Sequence, residues 1–339
     1  MSGLFQRLEE LYAIGGGPGA NRVSGSAEED DAHRLAAGWM RDAGLEVSVD
    51  ADGNLLGRSG RRDEVWVGSH LDTVPQGGRF DGALGVVAGL EAVERAGCGS
   101  VVAFRGEEVG CIGSRALVAR GPGGLPSAFL ELHIEQGPRL DRLGAPLGVV
   151  TSITGLARGD FVVAGRAGHA GTTPMDARED ALVAASELVL RIRDTALAID
   201  DAVATVGSVR VEPGAANVIP SRVTVAVDAR APDLERFEQL IEDLGLEPSY
   251  RIEPVAMAPE VIAAFGAEVE ARGLPRVELV SGAGHDAGIL AGAGVRSGML
   301  FVRSLAGGVS HSPDELSSEE DVTLAVDVLA SALGRLCSK

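Results

Sequence analysis

The stretch Gly68-Ser69-His70-Leu71-Asp72-Thr73-Val74-Pro75-Gln76-Gly77-Gly78-Arg79-Phe80-Asp81-Gly82-Ala83-Leu84-Gly85 joins two elements of different period. On its N-terminal side Val65-Trp66-Val67 is apolar and β-branched, the mark of a short buried strand. On its C-terminal side Leu84 to Ala96 is rich in helix formers and meets Gly97 as a stop. His70 and Asp72 therefore fall where a strand ends and a loop begins, the place where open α/β sheets put their sites. Asp81 stands at the far end of the same glycine-rich loop. An imidazole and hard carboxylate oxygens on a tightly folding backbone suit a divalent metal. An Asx-turn followed by a helix N-cap employs the same residues, so partners elsewhere must separate the two readings.

Working outward, Ser26-Ala27-Glu28-Glu29 is a capping-box pattern that opens a helix to about Ala43, and His33 within it reads as a surface histidine. Leu45 to Asp50 alternates as a half-exposed strand, Asp52-Gly53-Asn54 turns, and Leu55 to Arg58 begins another strand. After the helix to Ala96 come strands at Ser100 to Phe104 and Ser127 to Leu132, an alternation that implies an α/β layered domain. The character changes near Thr151. Strands at Gly159 to Gly165, Ala202 to Val211 and Arg222 to Ala229 accompany amphipathic helices at Arg178 to Arg193 and Asp233 to Leu244. The first domain resumes with a helix at Pro259 to Gly273, a strand at Val277 to Val280, a helix at Asp286 to Ala293, a strand at Met299 to Val302 and a last helix at Ser318 to Leu336. The expected architecture is a catalytic α/β domain over residues 1–152 and 259–339, with a smaller α+β domain inserted at 153–258.

A chain of 339 residues with 45% apolar and 23% charged residues is globular and long enough for two cores. Its net charge of −19 speaks against nucleic acid, which requires a basic face. No apolar run approaches the ~20 residues of a membrane span, and Arg7, Glu9 and Glu10 interrupt any signal-peptide core, so a cytoplasmic location is expected. Cys98, Cys111 and Cys337 have no paired spacing; Cys111 reads as a small packing residue.

Position makes the chemistry. Strand Val101 to Phe104 is followed by Glu107-Glu108, strand Ala128 to Leu132 delivers His133 with Glu135 and Gln136, and the strand ending at Val302 leads to Ser310-His311. His169 and His285 occupy further glycine-rich turns. Two divalent ions ~3.5–4 Å apart need a bridging carboxylate and about two more ligands each. His70, Asp81, Glu108, His133 and His311 supply three imidazoles and two carboxylates, in a mixture that suits Zn, Mn, Co or Ni. Glu107, beside a ligand but spare, is placed to act as general base, and Asp72 to orient His70.

These segments resemble the M20 family of metallohydrolases, in the branch of N-carbamoyl-L-amino acid hydrolases, allantoate amidohydrolases and β-ureidopropionases. The resemblance runs in order through 68–85, Glu107-Glu108, Leu130-Glu-Leu-His-Ile-Glu-Gln-Gly-Pro138, Gly168-His-Ala-Gly-Thr-Thr-Pro-Met-Asp-Ala-Arg178, Ala216-Asn-Val-Ile-Pro220, Asp228-Ala-Arg230, Ser281-Gly-Ala-Gly-His-Asp-Ala287 and Ser310-His-Ser-Pro-Asp-Glu315. It implies two metal ions on the five ligands named above and Glu107 as base. It further implies that the inserted domain is a lid that forms a homodimer, with His169 stabilising the oxyanion of the partner's site. Asn217 and Arg230 are then expected on the substrate carboxylate, Gln136 on the ureido or amide group, and His285, Gly307 and Gly308 beside the substrate, an N-carbamoyl or related N-acyl L-amino acid. Two features depart from that branch: the short connection from Glu108 to His133, and Arg303, expected to alter the substrate's charge preference. An aminoacylase or dipeptidase on the same scaffold, a metal-dependent binding protein and thiol catalysis through Cys111 are the rival readings.

Overall fold

The computed structural model describes residues 3–60 and 64–338. The chain divides into two compact units, Met1–Thr151 with Ala256–Lys339, and Ser152–Val255.

The first unit opens with α1 (Gly3–Tyr12), which buries Leu4, Phe5, Leu8 and Leu11. Ser26 caps α2 (Ala27–Asp42) by accepting from Glu29 N. Only half of the capping box forms, because the Glu29 carboxylate turns to Gly25 N and Gly106 N instead. His33 is not on the surface: it is 5% exposed, facing inward from α2 with neither ring nitrogen hydrogen-bonded. There follow β1 (Glu46–Val49), β2 (Leu55–Arg58), β3 (Val65–His70), α3 (Ala83–Ala96), β4 (Ser100–Phe104), α4 (Ile112–Ala119), β5 (Ala128–Ile134), α5 (Arg139–Leu143) and β6 (Leu147–Ile153).

The second unit holds β7 (Gly155–Ala164), β8 (Gly168–His169), α6 (Ala181–Leu197), β9 (Val203–Glu212), β10 (Val218–Ile219), β11 (Arg222–Ala231), α7 (Leu234–Leu244) and β12 (Tyr250–Ile252). Its sheet has the order β12-β7-β11-β9, antiparallel throughout, with Ala185, Leu188 and Ile192 of α6 and Phe237 and Leu240 of α7 buried against Val223, Val225 and Val227 of β11. The chain continues through β13 (Val255–Ala256), α8 (Pro259–Glu270), β14 (Glu278–Ser281), α9 (Asp286–Gly292), β15 (Arg296–Val302) and α10 (Glu319–Cys337).

The large sheet is mixed, ordered β1-β2-β4-β3-β5-β15-β6-β13 with β14 on β6. Its middle four strands, β4, β3, β5 and β15, run parallel, so their C-terminal ends share one edge. Val65, Val67, Leu130, Leu132 and Leu300 join α3, α8 and α10 in the main core. Strand alternation sends the intervening residues to the opposite face, among them His70, Glu131, His133 and Phe301. That parity places the polar chemistry on one face of the sheet.

Candidate metal centre

His70 is the last residue of β3 and His133 the penultimate residue of β5. His70 Nδ1 lies 3.1 Å from the Asp72 carbonyl and 3.4 Å from Asp72 Oδ1, and His133 Nδ1 lies 2.9 Å from the Ile134 carbonyl. These acceptors assign the proton of each ring to Nδ1 and leave Nε2 with its lone pair. Both Nε2 atoms are buried without a hydrogen-bond partner, at 3.6 Å (His70) and 3.2 Å (His133) from Asp81 Oδ1. Two orphaned lone pairs converging on a carboxylate are the donor set that a divalent cation satisfies.

The other Asp81 oxygen faces a second group. His311 Nε2 is 3.3 Å from Asp81 Oδ2 and 3.5 Å from Glu108 Oε2. The triads His70–Asp81–His133 and Asp81–Glu108–His311 each keep their ligand atoms within 4.8 Å of one another, with Asp81 common to both. Burial alone opposes ionisation of Asp81; positive charge on the surrounding imidazoles, or on a cation held between their lone pairs, keeps its carboxyl well below the usual range. Gly82 makes this approach possible: its φ is +63°, and a Cβ there would stand 2.4 Å from the His70 ring.

Asp72 has a wider role than orienting one imidazole. Its Oδ1 and Oδ2 accept the backbone N–H of Glu107 (3.1 Å) and Glu108 (3.2 Å), so one carboxylate aligns β3's histidine with the glutamate loop after β4. Glu107 belongs to neither triad, and its Oε2 lies 3.7 Å from His70 Nε2. Burial and the charges of Asp286, Asp81 and Glu108, opposed by His70, push its carboxyl well above the usual range. Cys111 is buried, its Sγ donating to Glu107 Oε1 at 3.8 Å, and burial drives its thiol far above the usual range, which leaves no thiolate for catalysis.

Gln136, at φ +56°, donates through Nε2 to Asp81 Oδ2 (2.9 Å) and Ser310 Oγ (3.1 Å). His285 is 2% exposed, packed edge-on against His133 at 4.5 Å between centroids, with Nε2 2.9 Å from Ser281 Oγ. Gly307 and Gly308 lie in the loop after β15, where Gly308 packs against the Gly137–Pro138 peptide. Arg303 departs from expectation: its guanidinium pairs with Asp321 at 2.8 Å near the start of α10, so its charge is neutralised there rather than offered to a ligand.

In the second unit, β8 and β10 set Val218 opposite His169, and Ala170 N donates to the Asn217 carbonyl. His169 is exposed, and its Nδ1 accepts from Gly171 N at 3.0 Å, which leaves Nε2–H as the outward donor. Arg230 is not a free fork: its Nε and Nη2 clasp Asp228 at 2.8 and 3.2 Å, and Arg158 joins the same carboxylate.

Several buried polar groups escaped the sequence reading. Glu131, on the face of β5 that carries His133, accepts from Ser69 Oγ (2.6 Å) and Ala287 N (2.9 Å). Asp286 accepts from Ser114 Oγ at 2.6 Å, and burial pushes its carboxyl up to about 8. Arg22 is wholly buried and donates to the Leu71 and Leu11 carbonyls. A glutamate two places before His133 in an otherwise apolar strand was the one readable signal.

The sheet, the shared edge and the twin triads define a metallohydrolase-type α/β protein, and the chain belongs to peptidase family M20/M25/M40, whose model matches residues 66–335. Among its relatives, the N-carbamoyl-L-amino acid amidohydrolase of Geobacillus stearothermophilus is 38% identical in an alignment covering 98% of each chain. The allantoate amidohydrolase of Bacillus subtilis is 35% identical, covering 96% of this chain and 94% of its own. Among solved structures, an amidase of the hydantoinase/carbamoylase family from Burkholderia multivorans superposes with a TM-score of 0.89 at 32% identity, over 99% of this chain and 97% of that one.

Proposed function

We propose that this chain is a metal-dependent amidohydrolase that cleaves the C–N bond of an N-carbamoyl or related N-acyl L-amino acid. The observation that carries this reading is the convergence of two unpartnered Nε2 atoms on Asp81, with Glu107 left spare beside them. Two divalent ions are proposed, one held by His70, Asp81 and His133, the other by Asp81, Glu108 and His311. When bound, such ions polarise the scissile carbonyl and make water acidic enough to ionise near neutrality. Glu107 takes the proton of the attacking water and returns it to the leaving nitrogen. In the ion-free site, burial and the neighbouring carboxylates raise its affinity for a proton. Gln136, tethered at Asp81 and Ser310, is the amide proposed to meet the ureido group.

The second unit is proposed as the dimerisation lid. In support, β9 is an edge strand whose Val203 and Val209 are exposed, and α6 exposes Leu190 and Leu197. Another copy pairing along that edge covers apolar groups that are otherwise wet. His169, through its outward Nε2–H, then serves the partner's oxyanion, and Asn217 its substrate carboxylate, which Arg230 joins by exchanging its Asp228 partner for the substrate. Ammonia and amine release from N-carbamoyl-L-amino acids, allantoate, N-acetyl-L-amino acids and dipeptides, after loading with Mn, Co or Zn, tests the reading. Ammonia from ureido substrates supports it; amine from acyl or peptidyl substrates alone would replace it with an aminoacylase or dipeptidase.

A further inference from the structure

Glu315 lies four residues beyond His311, on the loop between β15 and α10, and is 5% exposed. A buried carboxylate is costly unless it is fully hydrogen-bonded. This one is bonded at both oxygens, and all its partners are in the metal centre. Oε1 accepts the backbone N–H of Phe80 (2.7 Å) and of Asp81 (3.1 Å). Oε2 accepts from Ser310 Oγ at 3.0 Å. Ser310 in turn receives Gln136 Nε2, which also donates to Asp81 Oδ2. The ring Glu315–Ser310–Gln136–Asp81 therefore closes on the shared carboxylate from behind. Gly78 completes the seat: a Cβ there would lie 2.0 Å from Glu315 Cδ and 2.1 and 2.2 Å from its oxygens.

The two loops so joined lie 235 positions apart in the chain, one following β3 and the other β15. Asp81 must present one oxygen to each triad, so a small rotation of its peptide spoils both groups. We propose that Glu315 is a positioning residue for the metal pair: it pins the Asp81 loop to the His311 loop and thereby sets how tightly the ions are held. The inference rests on the metal-centre reading above, and it adds a residue that donates no ligand. Two of the three bonds run to successive backbone N–H groups, so the Glu315 carboxyl fixes the Phe80–Asp81 peptide directly.

The test is a titration of the full-length apo protein with Mn²⁺, following free Mn²⁺ by electron paramagnetic resonance, for wild type, Glu315→Ala, Glu315→Gln and Gly78→Ala. Glu315→Ala is expected to weaken binding at least tenfold and to recover most of its turnover once Mn²⁺ is saturating. Glu315→Gln keeps one oxygen for the two N–H groups and loses the acceptor for Ser310, so it should fall between. Gly78→Ala leaves the carboxylate in place chemically but evicts it sterically, and should match Glu315→Ala. Melting in chelator separates plain stability from positioning. A lowered melting temperature with wild-type Mn²⁺ affinity in Glu315→Gln or Glu315→Ala overturns the proposal, as does lost turnover at saturating Mn²⁺ with affinity unchanged. A wild-type protein that binds no Mn²⁺ removes the metal centre itself, and this inference with it.

Discussion

Glu107→Gln is the substitution that isolates proton transfer from everything else the site does. Glu107 is held by its own backbone, whose N–H donates to Asp72 Oδ1 at 3.1 Å, and glutamine leaves that bond and the side-chain volume untouched. Only basicity and charge are removed. The five proposed ligands, His70, Asp81, Glu108, His133 and His311, are all left in place, so metal stoichiometry is expected to stay intact. A positioned general acid–base contributes on the order of 10²–10⁴ in rate. In the proposed mechanism Glu107 both accepts and returns the proton, so a fall in kcat of about 10³ is expected, or about 4 kcal/mol of transition-state stabilisation at ~1.36 kcal/mol per tenfold. KM should stay within about threefold. The assay pairs ammonia release from an N-carbamoyl-L-amino acid with metal content by mass spectrometry on the same sample. Turnover within tenfold of wild type, with metal stoichiometry intact, would falsify the assignment of the base.

Dialysis against a chelator should abolish turnover and lower the melting temperature. Restoring an ion at about 100 times its Kd should return about 2.7 kcal/mol of stability, and undiminished activity after complete metal removal would contradict the twin-triad reading. Cys111→Ala should leave kcat within about twofold, because its thiol stays protonated; loss of activity with metal retained would revive thiol chemistry. His169→Ala should cost about 10²–10³ in kcat, the range for one oxyanion donor, and a change confined to KM would argue against that role. His33 is held neutral by burial, with Arg105 adding to the effect, and its pKa is lowered to about 3. The unfolded chain protonates it near pH 6.5. Its contribution to stability is therefore complete above pH 6.5 and lost as the pH falls toward 3. Between pH 6.5 and 4.5 wild type should lose about 2 kcal/mol more than His33→Leu in urea unfolding, and parallel pH profiles would show that His33 is not the cause.

The α/β layering of the first unit was legible because buried parallel strands leave a plain signal. Val65-Trp66-Val67 and Val101 to Phe104 are apolar throughout, and Gly97 stops α3 in the left-handed conformation expected of it. The candidate ligands were legible for a related reason: histidines and paired acids stand at or beyond the C-terminal ends of β3, β4, β5 and β15, and a parallel sheet has one such edge. His33 was misread because a local window shows its Asp and Arg neighbours, whereas its burial depends on the face α2 turns inward. Arg303 was misread because its partner, Asp321, lies 18 residues away on α10.

By itself, the sequence determined the order of elements and the candidate ligand types with Glu107 beside them, since these follow from residue chemistry and local periodicity. The tertiary structure alone decided which groups share an atom's neighbourhood. Asp72 serving both glutamate N–H groups, Glu131 between Ser69 and α9, and Glu315 clasping the Asp81 loop are contacts between segments from 35 to 235 positions apart. No local pattern encodes such pairs, because their energy exists only once the sheet has brought its strand ends to one edge and water has been excluded from between them.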